Sequence, residues 1–184
     1  MEPLLAHQRA QDVFAGVLAG VTPDQLSRPT PCSEWSVRDL IDHVIGGNER
    51  VVQRAGMAPG TVSRPSDLAA AHRASSAAAQ AIFAAPDGLT RTFDLPIGEV
   101  PGQVFVRIRA LDAFAHAWDL AQAAGQPIDF DPELAAQLLE SARQIIRPEL
   151  RGAGKPFGLE QSCPANAAPA TQLATFLGRQ PELA

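Results

Sequence analysis

Two of the four histidines in this chain lie within strongly apolar segments, where they could bind a metal ion. Residues 104–124 are apolar nearly throughout, yet Arg109, Asp112, His116 and Asp119 interrupt them at spacings of 3, 4 and 3. On an α-helix of about 3.6 residues per turn, these positions fall within about 80° of one another. A buried helix would thus carry one narrow ionisable stripe. Buried charges are costly unless they are paired or bind a metal.

Asp112 and His116 are four residues apart, so their side chains stack one helical turn apart and could bind the same ion. His43 is the natural third ligand, since it lies beside the apolar stripe of another predicted helix. Gly47, one turn further on, leaves space above it. Two histidines and a carboxylate with an open position match a catalytic zinc site or a similar divalent site better than a closed structural one.

Simpler interpretations of the same residues stay open. An Asp–His pair at this spacing is also typical of a hydrogen-bonded pair in a core. Arg109 and Asp112 could form an ordinary ion pair within the helix, which contributes little to stability. His43 could be an unremarkable histidine at the edge of the apolar face.

The remaining residues that could do chemistry are expected to be structural. We expect His7 and His72 to be solvated, because they lie among polar or alanine-rich positions. Cys32 and Cys163 are expected to pack rather than react, since no metal-binding cysteine spacing is present. A reactive Cys32 stays an alternative, because it lies near the N-terminus of the second predicted helix. Trp35 and Trp118 are expected in the core. The sequence contains no local signature of a nucleophilic triad and no glycine-rich phosphate loop.

The composition excludes several classes of protein. The chain has 184 residues, of which 46% are hydrophobic, so a single folded domain is expected. Fifteen basic and 20 acidic residues give a net charge of −5, which argues against a nucleic-acid or membrane-surface partner. No apolar run reaches the roughly 18 residues of a membrane helix, and the first residues lack a signal-peptide pattern. We therefore expect a cytoplasmic protein.

The elements that must position these side chains are predicted to be helices. Alanine is abundant and favours helix, while alternating β-branched runs are absent. Ser36 is predicted to cap the second helix, with Asp39 completing a capping box. Residues 91–95 could be extended, and Phe157 and Leu159 are expected to pack the irregular segment 152–169. Apolar periodicity and breakers place the helices at about 3–20, 36–55, 66–85, 101–124, 131–150 and 169–178.

These elements predict an all-α protein, an antiparallel four-helix bundle with additional C-terminal helices. We expect one domain over residues 1–184, with a bundle over about 1–125 and an extension over about 126–184. Alanine-rich helix faces pack closely, which makes a homodimer an option that the sequence does not require.

Two motifs resemble a known family. Residues 30–40, TPCSEWSVRDL, and 41–48, IDHVIGGN, resemble the TPC-x-x-W-x-V-x-DL…H-x-x-GG signature of the metal-binding domain of mycothiol-dependent maleylpyruvate isomerases. That domain is one of the DinB/YfiT-like helical bundles. Residues 112–121, DAFAHAWDLA, resemble the family's second signature, an acidic residue four before H-x-W-D-L-A. Residues 157–158 and 176–179 also resemble the tail of its shorter members.

The resemblance implies a divalent metal held by His43, Asp112 and His116. Zinc is the first expectation, with nickel or another divalent ion as alternatives, because the family's acidic ligand is Glu and this chain has Asp112. It also implies a DinB/YfiT-like fold. The isomerase carries a C-terminal domain that helps to bind substrate, and residues 126–184 are expected to be only a short substitute for it.

Thiol chemistry follows from this resemblance. A metal deprotonates a coordinating thiol, so a mycothiol-type thiol could be activated to attack an electrophilic substrate. The expected function is a thiol transferase or an isomerase-like enzyme; the alternative is a non-catalytic metal-binding protein that acts in stress or regulation. Arg109 and Arg50 could bind an anionic group. Asp119 could accept a hydrogen bond from a ligand imidazole.

Overall fold

Helices make up most of the computed structural model, which describes residues 1–32, 34–57, 67–164 and 166–180. Those ranges contain six α-helices and one two-stranded sheet. The all-α class predicted from the sequence is confirmed. The elements are α1 Pro3–Ala19, α2 Val37–Arg54, α3 Leu68–Ala84, β1 Thr92–Leu95, β2 Gly98–Pro101, α4 Gly102–Ala124, α5 Pro132–Ile145 and α6 Pro169–Phe176.

The first four helices form the core, and α4 lies at its centre. α1 packs on α3 and α4, and α2 packs on the same two helices. α5 and α6 pack on each other and both contact α4. Because α4 touches all five of the other helices, it is apolar on nearly every side. Its buried ionisable side chains must therefore find partners close by.

Local sequence explains where the helices of the site begin and end. The Ser36 hydroxyl accepts from the Asp39 backbone N–H, and the Asp39 carboxylate accepts from the Ser36 N–H at 3.0 Å, which confirms the predicted capping box. The Asp67 side chain caps α3 by accepting from the Ala70 N–H at 3.0 Å. The predicted start of this helix at residue 66 lies outside the described residues. α4 ends at Gly125, whose φ of 68° suits glycine.

Three predictions about the C-terminal part of the chain are wrong. Cys163, expected to pack, is exposed. The helix predicted over 131–150 ends at Ile145, and a turn of 3-10 helix follows at Pro148–Leu150. Pro148 causes this break, since proline lacks an N–H and disfavours helix in the preceding residue. Leu159 does not pack, because 65% of it is exposed. Phe157 does pack against the core, as predicted.

The connector before α4 is a short hairpin. β1 pairs with β2 in antiparallel register, from Thr92 opposite Pro101 to Leu95 opposite Gly98. Phe93 and Leu95 are buried, while the alternate positions are exposed. The extended conformation predicted for residues 91–95 is confirmed over the four residues of β1.

The prediction that His7 and His72 are solvated is wrong, because both are fully buried. The His7 imidazole pairs with the Gln80 Oε1 at 2.6 Å, and His72 Nε2 lies 2.9 Å from Gln11 Oε1. Gln11 in turn exchanges two hydrogen bonds with Asn48, at 2.9 and 3.1 Å. Burial lowers the pKa of each histidine to about 4. Small alanine side chains let α1 and α3 approach closely, so the buried histidines can hydrogen-bond to side chains of the other helix instead of to water.

Candidate metal centre

α2 and α4 bring the three predicted ligands together. Asp112 Oδ1 lies 3.3 Å from His43 Nε2 and 3.6 Å from His116 Nε2. The two imidazole rings meet edge to face with centroids 4.9 Å apart. Their three ligand atoms all lie within 4.8 Å of one another. The His43 and Asp112 side chains are 28% and 24% exposed, so the group is open to solvent on one side.

These separations suit one divalent ion. Zinc binds imidazole nitrogen at about 2.0–2.1 Å and carboxylate oxygen at about 2.0–2.2 Å, so neighbouring ligands of a tetrahedral site are about 3.3–3.5 Å apart. The 3.3 and 3.6 Å between Asp112 Oδ1 and the two imidazole nitrogens match that spacing. An ion held by these three side chains would have its fourth tetrahedral position open, as in catalytic zinc sites.

The second oxygen of Asp112 binds a buried arginine. Arg109 Nη1 donates to Asp112 Oδ2 at 2.8 Å, while Arg109 Nη2 reaches the Val44 carbonyl at 3.4 Å and Asn48 Oδ1 at 3.3 Å. Arg109 thus leaves only Oδ1 of Asp112 facing the two histidines. Through Asn48 it joins the site to the buried polar network of α1 and α3. The predicted ion pair exists, and its buried guanidinium orients the carboxylate.

The space beside Gly47 is occupied by Arg109, not left open over His43 as predicted. A Cβ atom at this position would lie 2.5 Å from both Cζ and Nη1 of Arg109. Real side chains essentially never approach so closely, so the space above Gly47 is filled by the guanidinium. The interpretation that Gly47 leaves space over His43 is therefore wrong. Gly47 admits Arg109 between α2 and α4.

The other face of His116 contacts a second acidic side chain. His116 Nδ1 lies 3.0 Å from Asp119 Oδ2, and Asp119 is completely buried. Arg179 from the C-terminal segment donates to both Asp119 oxygens, at 3.1 and 2.9 Å. The Cys32 thiol donates to the same carboxylate at 3.3 Å. Asp119 therefore accepts from the imidazole N–H that faces away from Asp112, as a partner that orients a ligand would.

Cys32, His116 and Asp119 form a second group whose ligand atoms lie close enough to hold an ion. Arg179 already occupies both oxygens of Asp119, whereas Asp112 has one oxygen that no arginine engages. A cation beside Arg179 would be repelled by the guanidinium at close range. The group of His43, Asp112 and His116 is therefore the better metal site of the two.

The ionisable groups of the site are strongly coupled. Burial alone would raise the pKa of Asp112, but Arg109 and then His116 outweigh it and hold that pKa well below the ordinary 3.8. Burial would lower the pKa of His116, but Asp112 outweighs it and holds that pKa well above 6.5. Burial likewise opposes charge on Asp119, whose pKa Arg179 lowers to about 2. The carboxylates are thus charged, and a metal would have to displace the proton of His116.

Sequence reasoning missed two side chains of the site. Trp35 packs against the core, as predicted, but it is only half-buried and also borders the site. Its ring lies 4.5 Å from that of His43 and 5.6 Å from that of His116. Cys32 lies in one of the segments that resemble the family's motifs, and Arg179 lies in the tail that resembles its shorter members. That both contact the carboxylate of Asp119 is decided by the fold. Trp118 is buried, as predicted.

Arg50 lies close enough to the centre for the charge of Asp112 to act on its guanidinium. It is an exposed residue of α2, and among the described residues no hydrogen bond joins it to the three candidate ligands. Burial of part of its side chain and the nearby Arg109 charge lower its pKa.

A cavity of about 690 Å³ adjoins the candidate ligands. Cys32, Trp35, His43, Asp112 and His116 all contribute to its wall. A ligand in this cavity could reach the open side of the three ligand atoms, which is the geometry that small-molecule sites share. None of the described helices is long and apolar enough to cross a membrane.

Comparison with known families gives a match to the mycothiol maleylpyruvate isomerase N-terminal domain over residues 7–121. This segment contains His43, Asp112 and His116, whereas Arg179 lies beyond it. Two uncharacterized proteins of Mycobacterium tuberculosis, from strains CDC 1551 and H37Rv, are each 57% identical over 179 residues. The alignments cover 97% of this chain and 98% of each relative. No solved structure matches the chain.

Proposed function

Because the chain belongs to the mycothiol maleylpyruvate isomerase N-terminal domain family, we propose that it binds a divalent ion through His43, Asp112 and His116. The ion is proposed to activate a low-molecular-weight thiol of the mycothiol type. The thiol then reacts with an electrophilic small molecule, in a transferase or isomerase-like reaction. Zinc is the first candidate for the ion, and nickel is the second.

The observation that supports this proposal is that the two oxygens of Asp112 have different partners. Arg109 engages Oδ2 at 2.8 Å, and Oδ1 faces both imidazoles at 3.3 and 3.6 Å. His43 Nε2 is also within hydrogen-bond distance of Oδ1, and a carboxylate oxygen can accept from two donors, so the cavity beside the group is what favours a metal over hydrogen bonds alone. Two imidazoles and one carboxylate oxygen at ligand spacing, beside a cavity, are what a metal with an open position requires.

The bound ion would supply positive charge that lowers the pKa of a coordinating thiol. The protein's own contribution is orientation and shielding. Asp119 fixes the ring of His116 through its Nδ1 N–H, and Arg109 fixes Asp112. Trp35 covers the imidazoles and limits the access of water. Once the thiol proton has left to solvent, the sulfur electron pair can form the bond to an electrophilic carbon. In a transferase reaction the displaced electron pair leaves with the leaving group, such as chloride; in an isomerase-like reaction the electron pair of the attacked double bond moves onto the conjugated carbonyl oxygen.

Metal analysis of the purified protein tests the ligand assignment. We expect one equivalent of divalent metal in the wild type and at least a tenfold lower content in His43→Ala and His116→Ala. His72→Gln is the matched control, because His72 is buried outside the site and Gln can keep the bond to Gln11. Equal metal content in all four proteins would defeat the assignment.

Activity is tested with mycothiol and an aromatic chloride such as 1-chloro-2,4-dinitrobenzene, and separately with maleylpyruvate. We expect turnover that depends on the metal and is lost in His116→Ala. Turnover that survives in His116→Ala would refute the role of the site. Metal binding without turnover under zinc, nickel, cobalt or manganese would instead favour the non-catalytic alternative, a metal-binding protein of stress or regulation.

A further inference from the structure

The cavity extends well beyond the metal ligands, into the space between α4, α5 and the C-terminal segment. Its far wall is built from core side chains, all of them buried or half-buried. These are Leu111, Leu134, Leu138, Ala142, Ile146 and Phe157. A surface of this kind gains free energy when it is covered by an apolar ligand, at about 25 cal/mol per Å². A sugar or another hydroxyl-rich group placed there would lose hydrogen bonds to water without replacing them.

Apolar side chains also mark the rim of this cavity. Met1, Ile97 and Ile145 contribute to its lining and are 40%, 67% and 48% exposed. They are half of the six large hydrophobic residues that the described part of the chain exposes most. Clustered exposed apolar side chains commonly mark a binding site. Here they continue the apolar wall outward.

The charge of the cavity is opposite in sign to that of the protein. Arg107, Lys155 and Arg179 line it, against a single carboxylate, that of Asp112. The chain as a whole has a net charge of −5. Arg179 is paired with buried Asp119, whereas no described acidic side chain forms an ion pair with Arg107 or Lys155. These two cations lie on the exposed edge, where they would attract an anionic group.

We infer that this cavity binds an amphiphilic carboxylate, whose chain or ring lies against α4 and α5 and whose anionic group faces Arg107 and Lys155. A volume of about 690 Å³ falls in the range of sites that enclose ligands of roughly drug size. If the proposed function holds, this carboxylate is the electrophilic substrate. Only its identification as the substrate rests on the proposed function; its binding in the cavity does not. The thiol would then bind at the open side of His43, Asp112 and His116.

Calorimetric titration with hexanoate, octanoate and decanoate tests the inference. Burying one methylene group is worth about 0.8 kcal/mol, or about fourfold in Kd. We therefore expect the Kd to fall about fifteenfold at each step of two carbons, with one ligand bound per chain. The titration is run on the protein as purified and again after chelation of its metal, and the dependence on chain length is expected in both.

Two variants of α5 control for where the chain binds. Ser141 lines the cavity and is half-buried, so Ser141→Trp is expected to raise the Kd for decanoate at least tenfold. Gln144 is exposed on the same helix and does not line the cavity, so Gln144→Trp is expected to leave the Kd unchanged. A Kd that does not depend on chain length, or equal effects of the two substitutions, would overturn the inference.

The anionic preference has its own test. Replacing both Arg107 and Lys155 with Gln is expected to raise the Kd for decanoate about tenfold, since each exposed charge contributes up to about 1 kcal/mol. The Kd for decanol should not change. Loss of decanoate binding on chelation would mean that the carboxylate merely ligates the metal, which overturns the inference. Binding that persists after chelation, in a protein without thiol turnover, would uphold this site while the proposed function fails.

Discussion

Replacing Gly47 with alanine tests whether Arg109 orients the carboxylate of the candidate metal centre. The added Cβ would lie 2.5 Å from Cζ and Nη1 of Arg109, so the guanidinium must move away from α2. It would then lose its hydrogen bonds to Asn48 and Val44 and shift relative to Asp112. The carboxylate would be free to rotate, and Oδ1 would no longer be held toward the two histidines.

The expected size of the effect combines two opposing contributions. Gly→Ala within a helix is favourable by up to about 1 kcal/mol. Overpacking a buried site costs about 1–3 kcal/mol, and a lost hydrogen bond to a charged group costs about 1.5–3 kcal/mol. We expect Gly47→Ala to destabilise the protein by about 2 kcal/mol, which for a chain of this length lowers Tm by about 4–8 °C. Loss of a group that orients a ligand should weaken zinc binding about 10–100-fold.

Gly46→Ala is the matched control, one position earlier on the same helix. Its Cβ would meet only Nη1 of Arg50, at 3.3 Å, and that atom is the end of an exposed, flexible side chain. We therefore expect Gly46→Ala to raise Tm by up to about 4 °C, from helix propensity alone. Zinc affinity should equal that of the wild type.

The assays are thermal unfolding followed by circular dichroism and zinc titration in competition with a chromophoric chelator. If Gly47→Ala and Gly46→Ala have the same Tm and the same zinc affinity, Arg109 does not orient the site. Should Gly47→Ala fail to fold, Arg109→Lys provides the second measurement. It keeps the charge but loses the forked donors, so a zinc affinity equal to that of the wild type would equally show that Arg109 does not orient Asp112.

Three further results are expected. Burial lowers the pKa of His7 and His72 from 6.5 to about 4, so between these pH values the unfolded chain binds more protons than the folded one. The free energy of unfolding therefore falls as the pH drops below 6.5, by about 2 kcal/mol per histidine at pH 5. Urea unfolding at pH 7 and pH 5 measures this loss, and an unchanged midpoint would contradict it. Arg179→Gln leaves the Asp119 carboxylate buried without its cation and should destabilise by about 3–5 kcal/mol; adding Asp119→Asn should recover part of this loss, and no recovery would count against the pairing. Cys32→Ser should keep the metal content of the wild type, because the ion is assigned to the three other ligands, and its loss in metal analysis would favour the second group.

The residues of the candidate centre could be found in the sequence because α4 is buried on nearly all sides. Ionisable residues in an apolar helix stand out, and their spacing of 3 and 4 places Asp112 and His116 on one face. Helix ends were also readable where a local signal decides them, as with Ser36 and Asp39. The distances among His43, Asp112 and His116 are set by the packing of α2 on α4.

Contacts between elements far apart in the chain could not be predicted. His7 and His72 have the sequence surroundings of surface residues, because their main hydrogen-bond partners lie on another helix. His7 of α1 pairs with Gln80 of α3, and His72 of α3 pairs with Gln11 of α1. A buried polar side chain is recognisable only when its partner is known. The end of α5 is hard to predict for a different reason. Apolar residues continue at helical spacing past Ile145, while Pro148 ends the helix.

The helical class, the family and the residue types available for metal chemistry can be recognised in the amino-acid sequence, because helix periodicity and motif spacing are local properties of the chain. The packing of the helices sets which oxygen of Asp112 faces the histidines, places Arg109 over Gly47, and brings Arg179 to Asp119. It also decided that α4, α5 and the C-terminal segment enclose a cavity beside the site. These features depend on the distance between helices, which is set by side-chain packing from several elements at once.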